Sequence, residues 1–322
     1  MIHRRSFTVA LATGAILPAV PAVQAQGFPA RPITLIAPSV PGGSTDAVCR
    51  AMAESVSRRL GVAVTVENKA GAGGSLGAVV LAGAKPDGYT VALLPLAVFR
   101  LALMQKTPFD PLRDIAYVAG LGGFVFGLAV AADAPYRTLA ELLAYARKHP
   151  GELSYGHSGV GSTPHLAVEE LAQKTGVQLT AVPYKGSNEA LAALLGGQVS
   201  MMSGTTEFLP HVQAGKLRVL ATLGARRAAA FPDVPTLRES GVDIVNDSPF
   251  GIGVPRGTDA AVIQRLHDAF RASLDEPAVQ AAYARFMLPL MPMGSAEYEA
   301  FARRTVEAER ATLGRLGLLR KD

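Results

Sequence analysis

Short β-branched runs alternate with stretches in which apolar residues recur every three or four positions, and the alternation persists for most of the chain. Side chains repeating every second residue line one face of a strand, whereas those repeating near 3.6 residues line one side of a helix. Such alternation predicts βαβ units with mostly parallel sheets. Strands are expected at Ile33 to Ala37, Val62 to Glu67, Tyr89 to Leu94, Phe124 to Ala131, Leu179 to Val182, Val199 to Ser203, Leu217 to Thr222 and Gly251 to Val254.

The helices carry their own start and stop signals. After Ser44, the residues Cys49, Met52, Val56 and Leu60 recur at helical spacing, Arg50, Glu54 and Arg58 fall on other faces, and Gly61 marks the end. Thr138 and Glu141 make a capping box for a helix ending near His149-Pro150-Gly151. Thr163 and Pro164 supply an N-cap and an N1 proline, with Gly176 at the far end. Ser187 opens a short helix that stops at Gly196-Gly197, and beyond Pro255 the pattern is helical alone: Thr258 to Leu274, Asp275 to Phe286, and Ser295 to about Leu316.

A tail without strands must bury its apolar faces on something built earlier, and the first lobe is the natural partner. At 322 residues the chain is long for one core. The expected fold is therefore a two-lobed α/β molecule that the chain crosses twice, near Gly123 and Gly251, where glycine lets a hinge rotate at little steric cost. Residues 26–123 with 252–322 make up one expected lobe and residues 124–251 the other.

Composition changes this picture only at the start of the chain. Met1 to Ala25 reads as an export signal: Arg4 and Arg5 lead an apolar stretch through Val20, and Val23-Gln24-Ala25 offers small residues for cleavage before Gln26. Export predicts a periplasmic protein. Its removal takes away two arginines and no acids, so the net charge falls from +5 to +3. The remaining basic residues are scattered, not gathered into a stripe with aromatics, so nucleic acid is not implied. The lone cysteine, Cys49, has no partner for a disulfide and is expected to be a buried small apolar side chain.

Two segments share one chemical design. Ala37-Pro38-Ser39-Val40-Pro41-Gly42-Gly43-Ser44-Thr45-Asp46 runs from strand through a Gly-Gly turn into a helix, and Tyr155 to His165 repeats the order through His157, Ser158, Gly159, Val160, Gly161 and Ser162. Glycine allows a ligand close to the backbone, and a helix start offers free N–H groups and partial positive charge, which suits a carboxylate. If both lobes face each other at the carboxyl ends of their strands, both loops line one crevice. Taken singly, each loop is as readily a structural βα turn. A third segment, Pro183-Tyr184-Lys185-Gly186-Ser187, adds a phenol and a cation, although Lys185 fits a solvated loop equally well. Gly204 and Thr205 precede a further helix start, where Thr205 is a ligand contact or simply a cap.

Catalytic motifs are absent. Gly156-His157-Ser158-Gly159-Val160 lacks the second glycine of a nucleophile elbow, and Gly71 to Gly77 misses the dinucleotide spacing because Leu76 stands at the third glycine position. The six histidines are dispersed, so no metal or cofactor is expected; His157 and His165 remain candidate ligand contacts or satisfied loop histidines.

Phe28-Pro29-Ala30-Arg31-Pro32-Ile33-Thr34-Leu35-Ile36, Pro41 to Asp46, Val66 to Gly74 and Lys85-Pro86-Asp87-Gly88-Tyr89-Thr90 together resemble the Bug family, the substrate receptors of tripartite tricarboxylate transporters. The likeness continues through Gly156 to Gly161, Pro183 to Gly186, Ala214 to Leu217 and Gly253 to Pro255. It implies a type II periplasmic-binding-protein fold with flytrap closure, a small carboxylate ligand, transporter subunits in the membrane as partners, a monomer, and a carboxylate pincer on Val40 to Ser44 and Gly156 to Ser162. Pro95-Leu96-Ala97 stands where many relatives have polar residues, which implies an apolar distal end and an aromatic or short aliphatic monocarboxylate. An enzyme on the same scaffold, or a receptor for a membrane signalling partner, is the competing reading.

Overall fold

The computed structural model describes residues 27–321, so the expected export signal, Met1 to Ala25, lies outside the described residues. The chain opens with β1 (Ile33–Ala37), α1 (Ser44–Leu60), β2 (Val64–Asn68), α2 (Leu76–Gly83), β3 (Thr90–Leu94), α3 (Ala97–Met104) and β4 (Ile115–Phe124). It continues through β5 (Gly127–Ala131), α4 (Leu139–Lys148), β6 (Ser154–His157), α5 (Thr163–Thr175), β7 (Thr180–Pro183), α6 (Ser187–Leu195), β8 (Met201–Gly204), α7 (Leu209–Gln213) and β9 (Leu217–Thr222). It closes with β10 (Ser248–Pro255), α8 (Ala260–Ser273), α9 (Pro277–Arg285), β11 (Leu290–Met293) and α10 (Ser295–Arg315).

Local rules account for several of these boundaries. Val48, Cys49, Met52, Val56 and Leu60 are buried along one side of α1, and Gly61 ends it in the left-handed conformation expected of a C-cap glycine. In α4 the Thr138 hydroxyl accepts the Glu141 N–H while Glu141 takes the Arg137 N–H, the reciprocal pattern of a capping box displaced by one residue. Cys49 is fully buried, and burial pushes its thiol far above the ordinary value, which makes it inert.

The strands form two sheets, ordered β11-β4-β10-β3-β1-β2 and β7-β6-β8-β5-β9. Each has a parallel part, β3-β1-β2 and β7-β6-β8, extended by antiparallel neighbours, so both sheets are mixed. The helical tail packs on the first sheet as expected: Leu266, Phe270, Val279 and Tyr283 share a core with Leu35, Met52 and Ile252. That tail does contain a strand, however. β11 pairs with β4 at the sheet edge, where Pro292 is tolerated because an edge residue need not donate to a neighbour.

The crossings also differ in detail from the pattern. Phe124 to Ala131 is not one strand: Phe124 ends β4 in the first sheet and Gly127 begins β5 in the second. The return enters the first sheet at Ser248, ahead of the crossing expected near Gly251, because Ser248 to Phe250 already pair with Phe124 to Gly122. Gly251 lies inside β10, where a Cβ would collide with the Ala119 carbonyl oxygen. No helix among the described residues is long and apolar enough to cross a membrane.

Candidate functional site

A cleft of about 200 Å³ lies between the two sheets. The first lobe contributes Ser39, Val40, Gly42, Gly43, Ser44 and Pro95; the second contributes Ser158, Ser162, Lys185 and Thr205. These ten candidates meet in one place because β1, β3, β6, β7 and β8 all end toward it.

The first loop is built to leave donors open. Gly42 takes φ +84°, a conformation that favours glycine, and donates its N–H to Asp46 at 2.9 Å. Asp46 does not line the cleft. It is buried behind the loop, accepts Arg50 Nε at 3.0 Å and Asn68 Nδ2 at 2.8 Å, and thereby fixes the turn. Burial pushes its carboxyl up, but the hydrogen bonds from Arg50, Gly42 and Asn68 outweigh this and hold it below the ordinary value. Gly43 occupies the N-cap position with no capping side chain. The first-turn amides of α1 thus face a cleft that Ser44 and Thr45 line.

The second loop is organised differently. His157 Nδ1 lies 2.9 Å from the Gly159 carbonyl oxygen, to which it donates, and 3.2 Å from the Gly159 N–H; Gly161 N–H reaches His165 Nδ1 at 3.3 Å, and His165 N–H is capped by Ser162 Oγ at 3.4 Å. Pro164 has no N–H to offer. The two imidazoles stack with centroids 4.5 Å apart beneath the loop, and burial lowers both to about 4. His157, Gly161 and His165 therefore do not line the cleft; they hold the loop from behind. Gly159, Val160 and Tyr184 line a neighbouring hollow that shares Ser158, Lys185 and Gly73 with the cleft. The two glycine loops thus differ in how their amides are held: the Gly161 N–H bonds to His165, whereas no side chain caps the first turn of α1.

Pro41 is exposed on the outer side of its turn, and Leu96 is buried in the core beside Phe99. Gly204 lies in β8 beneath the Glu207 side chain. Thr205 is no side-chain cap; its hydroxyl donates to Glu207.

Several cleft residues had no signal of their own in the sequence. Phe126, Ser248 and Phe286 come from the crossings and the tail, and Gly73 and Gly74 come from the loop Gly71 to Gly77, which lacks the dinucleotide spacing. A Cβ on Gly73 would stand 3.2 Å from the Val160 carbonyl and 3.5 Å from Ser162 N, so this loop meets the second lobe backbone to backbone. Arg100, 1% exposed, also bridges the lobes: it donates to Thr163 Oγ1 at 2.8 Å and pairs with Glu309 at 2.7 Å. No group of three or more His, Cys, Asp or Glu able to hold a metal is gathered among the described residues.

Two α/β lobes that face each other across a cleft open to helix N-termini define a periplasmic solute-binding protein. The chain belongs to the family described as the tripartite tricarboxylate transporter family receptor, whose pattern matches residues 48–318. A UPF0065 protein in the gbd 5′ region of Cupriavidus necator is 46% identical over 323 residues, covering 98% of this chain and 99% of that one. The periplasmic binding protein BugD superposes with a TM-score of 0.85 at 29% identity, covering 91% of this chain and all of the other, in keeping with the Bug resemblance. Two Rhodopseudomonas palustris proteins are similarly close: MatC with bound malate (TM-score 0.82, 28% identity, 89% and 100% covered) and a second protein with adipate (TM-score 0.83, 30% identity, 90% and 98% covered).

Proposed function

We propose that this protein is an exported periplasmic receptor that closes its two lobes on a small carboxylate and presents it, unchanged and as a monomer, to the membrane subunits of a tripartite tricarboxylate-type transporter. The observation that carries this reading is the uncapped start of α1 opening into the cleft, with Gly43, Ser44 and Thr45 around it. A carboxylate there replaces water on free N–H groups and meets the positive end of the helix dipole, and the part-buried setting strengthens both. Ser158 and Lys185 approach from the second lobe, so one anion bridges both halves and favours the closed form.

The malate and adipate held by the relatives support a carboxylate as ligand class. The wall of Pro95, Ala97, Phe124, Phe126 and Phe286 supports an aromatic or short aliphatic body over a citrate-like one. Closure is proposed to turn where β4 passes toward β5 and where the chain returns into β10.

Titration calorimetry of the mature protein from Gln26 with benzoate and hexanoate tests the proposal, followed by recovery of the acid. Saturable binding of at least one acid, recovered unaltered, is the expected result. Conversion of the bound acid, or absence of binding across a panel of mono- and dicarboxylates, overturns it.

A further inference from the structure

Glu207 places a carboxylate in the cleft read above as a carboxylate site. Its side chain folds back over Gly204, where a Cβ would come within 2.6 Å of Oε1. Oε1 accepts the Thr205 N–H at 3.0 Å, Oε2 accepts the Thr205 hydroxyl, and the Ser187 hydroxyl at the start of α6 also bonds to it. Donors that would otherwise greet a ligand anion from the second lobe are therefore taken by the protein's own acid. Among the described residues no lysine, arginine or histidine forms an ion pair with Glu207. Lys185 lines the same cleft with an exposed side chain, and its main-chain N–H is held by Glu189. Burial pushes the Glu207 carboxyl above its ordinary value, in the direction expected of an anion without a counter-cation.

We infer that Glu207 sets the distal specificity of the cleft: the site takes monocarboxylates whose far end presents an ammonium or another hydrogen-bond donor, and it refuses a second ionised carboxylate there. This rests on the carboxylate reading of the α1 end. Two carboxylates sharing a part-buried site repel unless one takes up a proton, whereas an ammonium supplies the missing counter-charge. Selection then comes as much from the repulsive element as from the attractive one. The α1 end accepts the shared carboxylate of every candidate, so discrimination falls on the opposite end of the ligand.

Three six-carbon acids that differ only at that end test this: hexanoate, adipate and 6-aminohexanoate, titrated by calorimetry at pH 7.5 into the wild-type mature protein and into Glu207→Gln. The wild type is expected to bind 6-aminohexanoate about tenfold more tightly than hexanoate and adipate about tenfold more weakly. In Glu207→Gln the spread collapses to about threefold or less, mainly because adipate gains. Adipate binding the wild type as tightly as hexanoate overturns the inference without any variant, and so does an unchanged spread in folded Glu207→Gln. If none of the three acids binds the wild type, the carboxylate reading of the α1 end falls and takes this inference with it.

Discussion

Residues 37–46 and 155–165 follow the same order of strand, glycine loop and helix, yet their main-chain donors have different fates. At Gly42 to Ser44 the one loop amide that bonds internally goes to Asp46, and no side chain caps α1. At Gly159 to His165 the His165 imidazole takes the Gly161 amide, the Ser162 hydroxyl takes the His165 amide, and the His157 imidazole donates to the Gly159 carbonyl. A glycine loop at a helix start is therefore a binding element only after its donors have been accounted for, and that accounting depends on side chains several positions away.

The largest expected effect falls on the second loop and comes from acid. His157 and His165 are held near 4 in the folded chain against 6.5 ordinarily, so between those values the unfolded chain binds protons that the folded one refuses. Stability is therefore full above about pH 6.5, falls as pH drops through the window and levels off below about 4, with an upper limit of about 3 kcal/mol for each ring. Urea denaturation at pH 7.5 and 4.5 measures the loss. The double variant His157→Gln, His165→Gln should lose clearly less over the same interval, and an equal loss removes the histidines as its cause.

Next in size is a block on the first loop. Ser44→Asp puts a fixed carboxylate at the open helix start, where it satisfies the dipole in place of the ligand. Carboxylate binding should fall about a hundredfold while the melting temperature holds or rises slightly, because an acid in the first turn stabilises a helix. Calorimetry together with a thermal melt separates the two effects, and unchanged binding would move the anion away from α1. The smallest effect is expected from Ser162→Ala, which removes the hydroxyl that caps α5 at the edge of the cleft. It should cost about 1 kcal/mol of stability and change affinity by less than about threefold. A large loss of affinity would favour the carboxylate pincer on both loops.

Most of the fold was legible because its signals are local. The α1 boundaries follow from an apolar stripe and a terminal glycine, and the Thr138 start follows from a capping box. The single strand expected from Phe124 to Ala131 failed because an apolar run does not record where the chain changes sheets; Phe124 and Gly127 are both strand residues in different neighbourhoods. β11 went unseen because Pro292 and its exposed alternate positions look like a connector, and only pairing with β4 makes it a strand. The first loop was readable as an open helix start from its Gly-Gly turn. The two readings of the histidines stay open in the sequence because nothing in their spacing tells whether they face ligand or the underside of their own loop. Glu207, a lone acid between Thr206 and Phe208, was visible, but its position in the cleft depends on the way β8 delivers it beside α6.

The chain passes between its halves along strands hydrogen-bonded to each other, with Ser248 opposite Phe124 and Pro249 opposite Gly123. Two laced strands bend together readily across their common plane but resist twisting apart, since a rotation in one must be matched by its neighbour. Under the proposed closure the halves would move like a door on paired pins and not like a ball in a socket, so each swing would return Ser44 to the same partners across the gap.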